Sequence, residues 1–113
     1  MSWRLFPAIH QAARRLEEES GLAELPLTAR DILATIAGSQ SLIRATDLVQ
    51  TEKFGTPPTV YKMLAELQMA GWIRVAPHPA GCRANVLKPT PRTARLYARI
   101  GKEAARMLRE HPA

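Results

Sequence analysis

The stretch Thr56-Pro57-Pro58-Thr59-Val60-Tyr61-Lys62-Met63-Leu64-Ala65-Glu66-Leu67-Gln68-Met69-Ala70-Gly71-Trp72-Ile73-Arg74-Val75 decides how this chain of 113 residues is read. Thr56 predicts a helix N-cap, and Pro57 stands at the first helical position, where a missing N–H costs nothing. Val60, Leu64, Leu67 and Gly71 share one helical face, with Met63 beside them, and that face is expected to be buried. Pro58, Tyr61, Lys62, Ala65 and Met69 point the other way. Gly71 stops the helix, and residues 72–75 read as a short strand. Pro77-His78-Pro79-Ala80-Gly81 is turn chemistry, and residues 84–87 read as the returning strand. Thr90-Pro91 then opens a last helix over 91–109, with Tyr97, Ile100, Ala104 and Leu108 as its apolar stripe.

Upstream of this stretch, residues 3–20 predict a helix. Leu5, Ile9, Ala12 and Leu16 recur at helical spacing, Phe6 and Ala13 widen the stripe, Pro7 lies near the start, and Glu17-Glu18-Glu19 then Ser20-Gly21 close it. Thr28-Ala29-Arg30-Asp31 resembles a capping box opening a second helix, with Ile32, Leu33 and Ile36 on its buried side. Gly38-Ser39-Gln40-Ser41 is an exit loop. A short third helix covers about 45–51, with Leu48 and Val49 inward. Phe54 is expected to plug the core at the turn that follows, and Gly55 to supply a backbone angle other residues reach only with strain. The order is helix, helix, short helix, turn, helix, strand, wing, strand, helix. The expected class is mainly α with a small β-hairpin wing (α+β): a single domain over 1–113, with a winged helix-turn-helix core at 28–91 flanked by N- and C-terminal helices.

Charge is unevenly placed. The net charge is +6 and the pI about 10.3. Residues 1–55 carry six Lys/Arg against seven acids, whereas residues 56–113 carry ten against three, so a polyanion is expected to meet the second half. Cys82 is the only cysteine, which excludes an internal disulfide and suits a reducing compartment. No apolar run approaches the roughly 20 residues of a membrane span, and the N-terminus lacks the apolar core of a secretory signal. The chain therefore reads as cytoplasmic, with no membrane partner.

The segments Leu27-Thr28 to Ile36, Ala45-Thr46-Asp47-Leu48, Thr59-Val60-Tyr61 to Leu67 and Gly71-Trp72-Ile73 together resemble the multiple-antibiotic-resistance regulator (MarR) family. Lys88-Pro89-Thr90-Pro91 stands where that family usually has Leu-Thr before its next helix. The resemblance covers 28–91 and implies a small, short member of a family of transcriptional regulators that work as homodimers. It also implies a ligand pocket between dimer helices and DNA-binding lobe, which no polar cluster in this sequence supports. The family's wing usually carries an Asp-x-Arg pair. Gly81-Cys82-Arg83 keeps the arginine and lacks the acid.

Apart from any resemblance, the residue types favour double-stranded DNA. A helix fits the major groove and reads bases through its first turns. Here those turns show Thr56, Pro58, Thr59, Tyr61 and Lys62, with Ala65 small enough for close approach, and the helix N-terminus favours a phosphate. Arg74, Arg83 and Lys88 sit on or beside the wing, placed for the backbone or the minor groove. One winged helix covers a single half-site, so Leu5, Ile9, Leu16, Tyr97, Ile100 and Leu108 are the expected dimer surface. His10, His78 and His111 lack metal spacing with each other or with Cys82, which is an incidental thiol or a redox sensor beside Arg83. Trp3 and Trp72 read as packing residues. Neither a nucleophile-plus-base pair nor a Gly-rich phosphate loop stands out, so neither an enzyme nor a cofactor is expected. The expectation is operator occupancy by a transcriptional regulator. The alternatives are a winged-helix protein-interaction module, suggested by Pro57-Pro58 and Met69 on the outward face, and a DNA-binding accessory of a mobile element acting in replication or partition.

Overall fold

The computed structural model describes residues 3–81 and 85–110. It divides into two compact units, residues 25–93 and residues 1–24 with 94–113.

In the 25–93 unit three helices precede a hairpin: α2 (Leu27–Gly38), α3 (Ala45–Gln50) and α4 (Pro57–Met69), then β1 (Ile73–Pro77) and β2 (Asn85–Pro89). The strands pair antiparallel in the register Ile73↔Pro89, Arg74↔Lys88, Val75↔Leu87, Ala76↔Val86 and Pro77↔Asn85. On the far side of β2, the Leu87 N–H donates to the Ile43 carbonyl at 2.8 Å, which ties the hairpin to the segment leading into α3. The core is built from Ala29, Ile32, Leu33 and Ile36 of α2, Leu48 of α3, and Val60, Met63, Leu64 and Leu67 of α4, with Trp72, Ile73, Ala76, Val86 and Leu87. The outward residues of α4 named from sequence are all exposed. Phe54, expected as a core plug, is only half-buried.

The helix ends explain the boundaries. Thr56 is the N-cap of α4 in extended backbone, but its hydroxyl caps no helix N–H and lies 3.1 Å from the Thr59 hydroxyl instead. At the other end Gly71 takes φ +82°; its N–H donates to the Gln68 carbonyl at 3.1 Å, and the Trp72 N–H donates to the Leu67 carbonyl at 2.9 Å. These two bonds form a Schellman motif, so Gly71 stops the helix through its backbone and is itself exposed, not part of the buried face. The expected capping box at Thr28 does not form. Helix α2 starts at Leu27 behind Pro26, and Pro26 has no N–H to which a side chain could reach back. The reach-back bond forms at α3, where Asp47 Oδ2 accepts the Arg44 N–H at 2.8 Å. Gly55, at φ +104°, holds a backbone angle that strains any side chain, although a Cβ there would meet the Thr59 methyl at an ordinary 3.4 Å.

The second unit holds α1 (Leu5–Ser20), a 3₁₀ turn (Leu22–Glu24) and α5 (Pro91–Glu110) from residue 94 onward. Gly21, at φ +88°, ends α1 and donates to the Glu18 carbonyl. Leu5, Ala12, Leu16, Leu22 and Leu96 are buried. Phe6 does not widen the stripe of α1. It lies about 100° round the helix from Leu5 and stacks in the open on His10, with ring centroids 6.1 Å apart. Trp3 is 76% exposed and carries the Arg4 guanidinium over its ring at 4.9 Å, so it is not a packing residue, whereas Trp72 is 1% exposed. On α5 the buried position of this unit is Leu96; Tyr97, Ile100 and Ala104 are half-buried and Leu108 is 45% exposed.

Candidate nucleic-acid interface

Helix α4 and the hairpin that follows bring most of the sequence-predicted residues to one unit. The first turns of α4 present Thr56, Pro58, Thr59, Tyr61 and Lys62 to solvent, with Tyr61 49% exposed. The helix N-terminus is a poorer anion site than expected. Pro57 and Pro58 occupy its first two positions and remove two of the N–H donors that would face a phosphate. The two threonine hydroxyls and the Lys62 ammonium are left as the polar groups of that end.

On the hairpin, Arg74 and Lys88 stand directly opposite each other in the ladder and so project from the same face. Among the described residues no carboxylate comes within 4 Å of Arg74, Lys88 or Lys62; the pairs formed are Arg44–Asp47, Arg99–Glu19 and Arg106 with Glu103 and Glu110. Two like charges facing across a ladder destabilise the isolated hairpin slightly, and a polyanion relieves that cost. By contrast Arg44 is neutralised: its side chain and backbone N–H both bond Asp47, and those bonds hold the Asp47 carboxyl below its ordinary pKa. Arg83 and Cys82 lie outside the described residues, as does His111. His78 is structural, its Nδ1 accepting the Ala80 N–H at 3.0 Å in the turn.

Sequence reasoning missed the group that fixes the exit of α4. The Arg92 guanidinium lies over the Trp72 ring at 3.8 Å and donates to the Ala70 carbonyl at 2.6 Å. The Thr90 hydroxyl donates to the Gly71 carbonyl at 2.6 Å, and the buried Thr93 hydroxyl donates to the Trp72 carbonyl at 2.6 Å. The start of α5 thus satisfies the carbonyls that the end of α4 leaves open. The available signal was Thr-x-x-Thr around a helix start, read only as the opening of α5.

Two further expectations need correction. Of the ten Lys/Arg after residue 55, five (Arg95, Arg99, Lys102, Arg106 and Arg109) are on α5 in the other unit, together with Glu103 and Glu110, so three of the seven excess charges belong to that unit and not to the hairpin's. Of the expected dimer residues, Leu5 and Leu16 are covered by this chain itself and cannot also be open to a second copy, whereas Leu108 is exposed and Ile9, Tyr97 and Ile100 are half-buried. Among the described residues no group of three or more His, Cys, Asp or Glu could hold a metal, and no helix is long and apolar enough to cross a membrane.

No protein-family model matches the chain, and no curated protein does. Solved structures do. RV1404 from Mycobacterium tuberculosis superposes with a TM-score of 0.64 at 20% identity over 96% of this chain and 73% of its own. Wild-type MarR in its apo form from E. coli gives 0.58 at 19% identity, over 100% of this chain and 87% of its own. The fold is that of the MarR-type winged-helix regulators. The F27L mutant of S. aureus MepR, in its structure bound to an oligodeoxyribonucleotide, matches with a TM-score of 0.64 at 18% identity, over 97% of this chain and 80% of that one. At these identities the likeness establishes the MarR-type fold, mainly helical with a two-stranded wing, as read from the sequence.

Proposed function

We propose that this chain binds double-stranded DNA sequence-specifically and regulates transcription by occupying an operator, with α4 in the major groove and the hairpin on the flanking backbone. The observation that carries the reading is the Arg74–Lys88 pair, held face to face without a carboxylate partner, on the hairpin next in sequence to the hydroxyl- and ammonium-bearing turns of α4. The oligonucleotide complex of the like-folded MepR mutant supports it. Thr56, Pro58, Thr59, Tyr61 and Lys62 read or approach base edges; Arg74, Lys88 and Arg83 hold phosphates. A homodimer would set two recognition helices about 34–36 Å apart, one turn of DNA. A cytoplasmic regulator, rather than an enzyme, is the role this reading assigns.

A protein-docking module remains the second reading, because Met69 at the far end of α4 is 89% exposed. Selection of preferred duplexes from a random pool separates the two. Enrichment of a site with a two-fold repeat supports the operator reading, and an unenriched pool contradicts it. In this assay Lys62→Ala should relax preference at one base position per half-site, a loss of about 1–3 kcal/mol of discrimination.

A further inference from the structure

We propose that the unit built from α1 and the later turns of α5 holds a binding site for a small phosphorylated anion, gripped by Arg15, Lys102 and Arg109. The site is a cavity of about 360 Å³ lined by Arg15, Leu16, Arg99, Lys102, Glu103, Arg106 and Arg109, five cations against one carboxylate. Its charges are not equally available. Arg106 is committed to Glu103 and to Glu110, the latter at 2.6 Å, and those bonds raise its pKa further and hold the Glu103 carboxyl below its ordinary value. Arg99 leans toward Glu19 at 3.9 Å, with both side chains mostly exposed, a contact that screening by solvent leaves weak. Arg15, Lys102 and Arg109 have no carboxylate within 4 Å among the described residues.

Arg15 also attracts the Glu103 carboxylate, the smallest of the influences that lower that carboxyl's pKa, so Arg15 is partly compensated; with Lys102 and Arg109 it still leaves an excess of cations from two helices around one concavity, which concentrates positive potential there. The matching ligand carries several oxygens and at least two charges on a compact centre. Guanidinium forks fit a phosphoryl group through paired N–H donors, and the lysine adds a point charge. A volume of this size is that of a small-molecule site. Leu16 is the one apolar side chain in this lining, and the aliphatic stems of the arginines and the lysine supply the rest of its apolar surface. The site depends on neither α4 nor the hairpin, and it stands whether or not the chain binds DNA.

The test is calorimetric titration of the full chain with pyrophosphate, with acetate at matched ionic strength as the monoanion control. Saturable binding of pyrophosphate and none of acetate is expected. Arg15→Gln with Arg109→Gln should weaken pyrophosphate about tenfold or more. Glu103→Gln removes the cavity's carboxylate and leaves Arg106 paired with Glu110 alone, so it should tighten binding by roughly threefold, a gain that no folding defect imitates. Arg74→Ala with Lys88→Ala should leave pyrophosphate affinity unchanged, as should a saturating short duplex. No saturable binding, equal binding of acetate, or equal affinity in wild type and all cavity variants overturns the proposal. So does displacement of pyrophosphate by the duplex, which would make the cavity a contact for the nucleic-acid backbone.

Discussion

Arg74 and Lys88 show how little of a site depends on a residue's type and how much on what stands opposite. Each alone is an ordinary basic side chain. Placed as cross-strand neighbours with no carboxylate within 4 Å among the described residues, they put two like charges on one face of the hairpin. Replacing Lys88 by Ala should weaken binding to all duplexes alike and reduce the salt slope by about one unit, as expected for loss of one phosphate contact. Lys62→Ala should act on sequence preference. Asp47 provides a pH signature on the same scale. Its carboxyl pKa is lowered in the folded chain, first by the Arg44 side chain and then by the Arg44 backbone N–H. A depressed carboxylate stabilises the fold above its unfolded pKa and loses that contribution as pH falls through the folded value. Thermal melts of wild type should therefore show a drop below the ordinary Asp range, about pH 4, that Asp47→Asn lacks. The Asp47 side chain is 36% exposed and its Arg44 partner 48%, so solvent screening keeps the difference between the two curves small.

At the scale of elements, α4 was legible because every local cue agreed: proline at its start, one apolar face, glycine at its end. Leu67 is fully buried, and Leu67→Ala should cost about 2–5 kcal/mol, measured by denaturant unfolding. Gly71→Ala should cost about 1–2 kcal/mol, because alanine at φ +82° carries the left-handed steric penalty. What the sequence hid at this scale is contact made by chain segments far apart in order. The Thr93 hydroxyl, fully buried against the Trp72 carbonyl, anchors the exit of α4 from 21 residues away, and no local pattern announces such a bond. Thr93→Val keeps the shape and removes the shortest bond to that carbonyl, which still accepts the Thr90 N–H at 3.2 Å, and should cost about 0.5–1.5 kcal/mol. Capping was misread for a related reason. Thr28 has the right residue type, but Pro26 is the N-cap, two residues earlier. Hydroxyl residues mark helix starts only where the backbone before them is free to choose.

For the whole molecule, the fold class was readable from the order of elements, and the placement of charge was not. A sum over residues 56–113 merges the hairpin with α5, which the structure separates into different compact units. That separation leaves the DNA reading resting on the 25–93 unit. With Leu5 and Leu16 covered, the exposed Leu108 and the half-buried Ile9, Tyr97 and Ile100 are what is left of the surface through which a homodimer would form in the proposal. Sedimentation of Leu108→Asp should then show a lower association state than wild type, with unchanged helicity.

The most direct measurement is the salt dependence of binding to a random-sequence duplex by wild type and by Arg74→Ala with Lys88→Ala. If the hairpin grips the DNA backbone, binding weakens linearly in log salt, with a slope shallower by about two units per chain in the double variant, since two phosphate contacts are lost. Absence of binding at low salt, or an identical slope in both proteins, would contradict it.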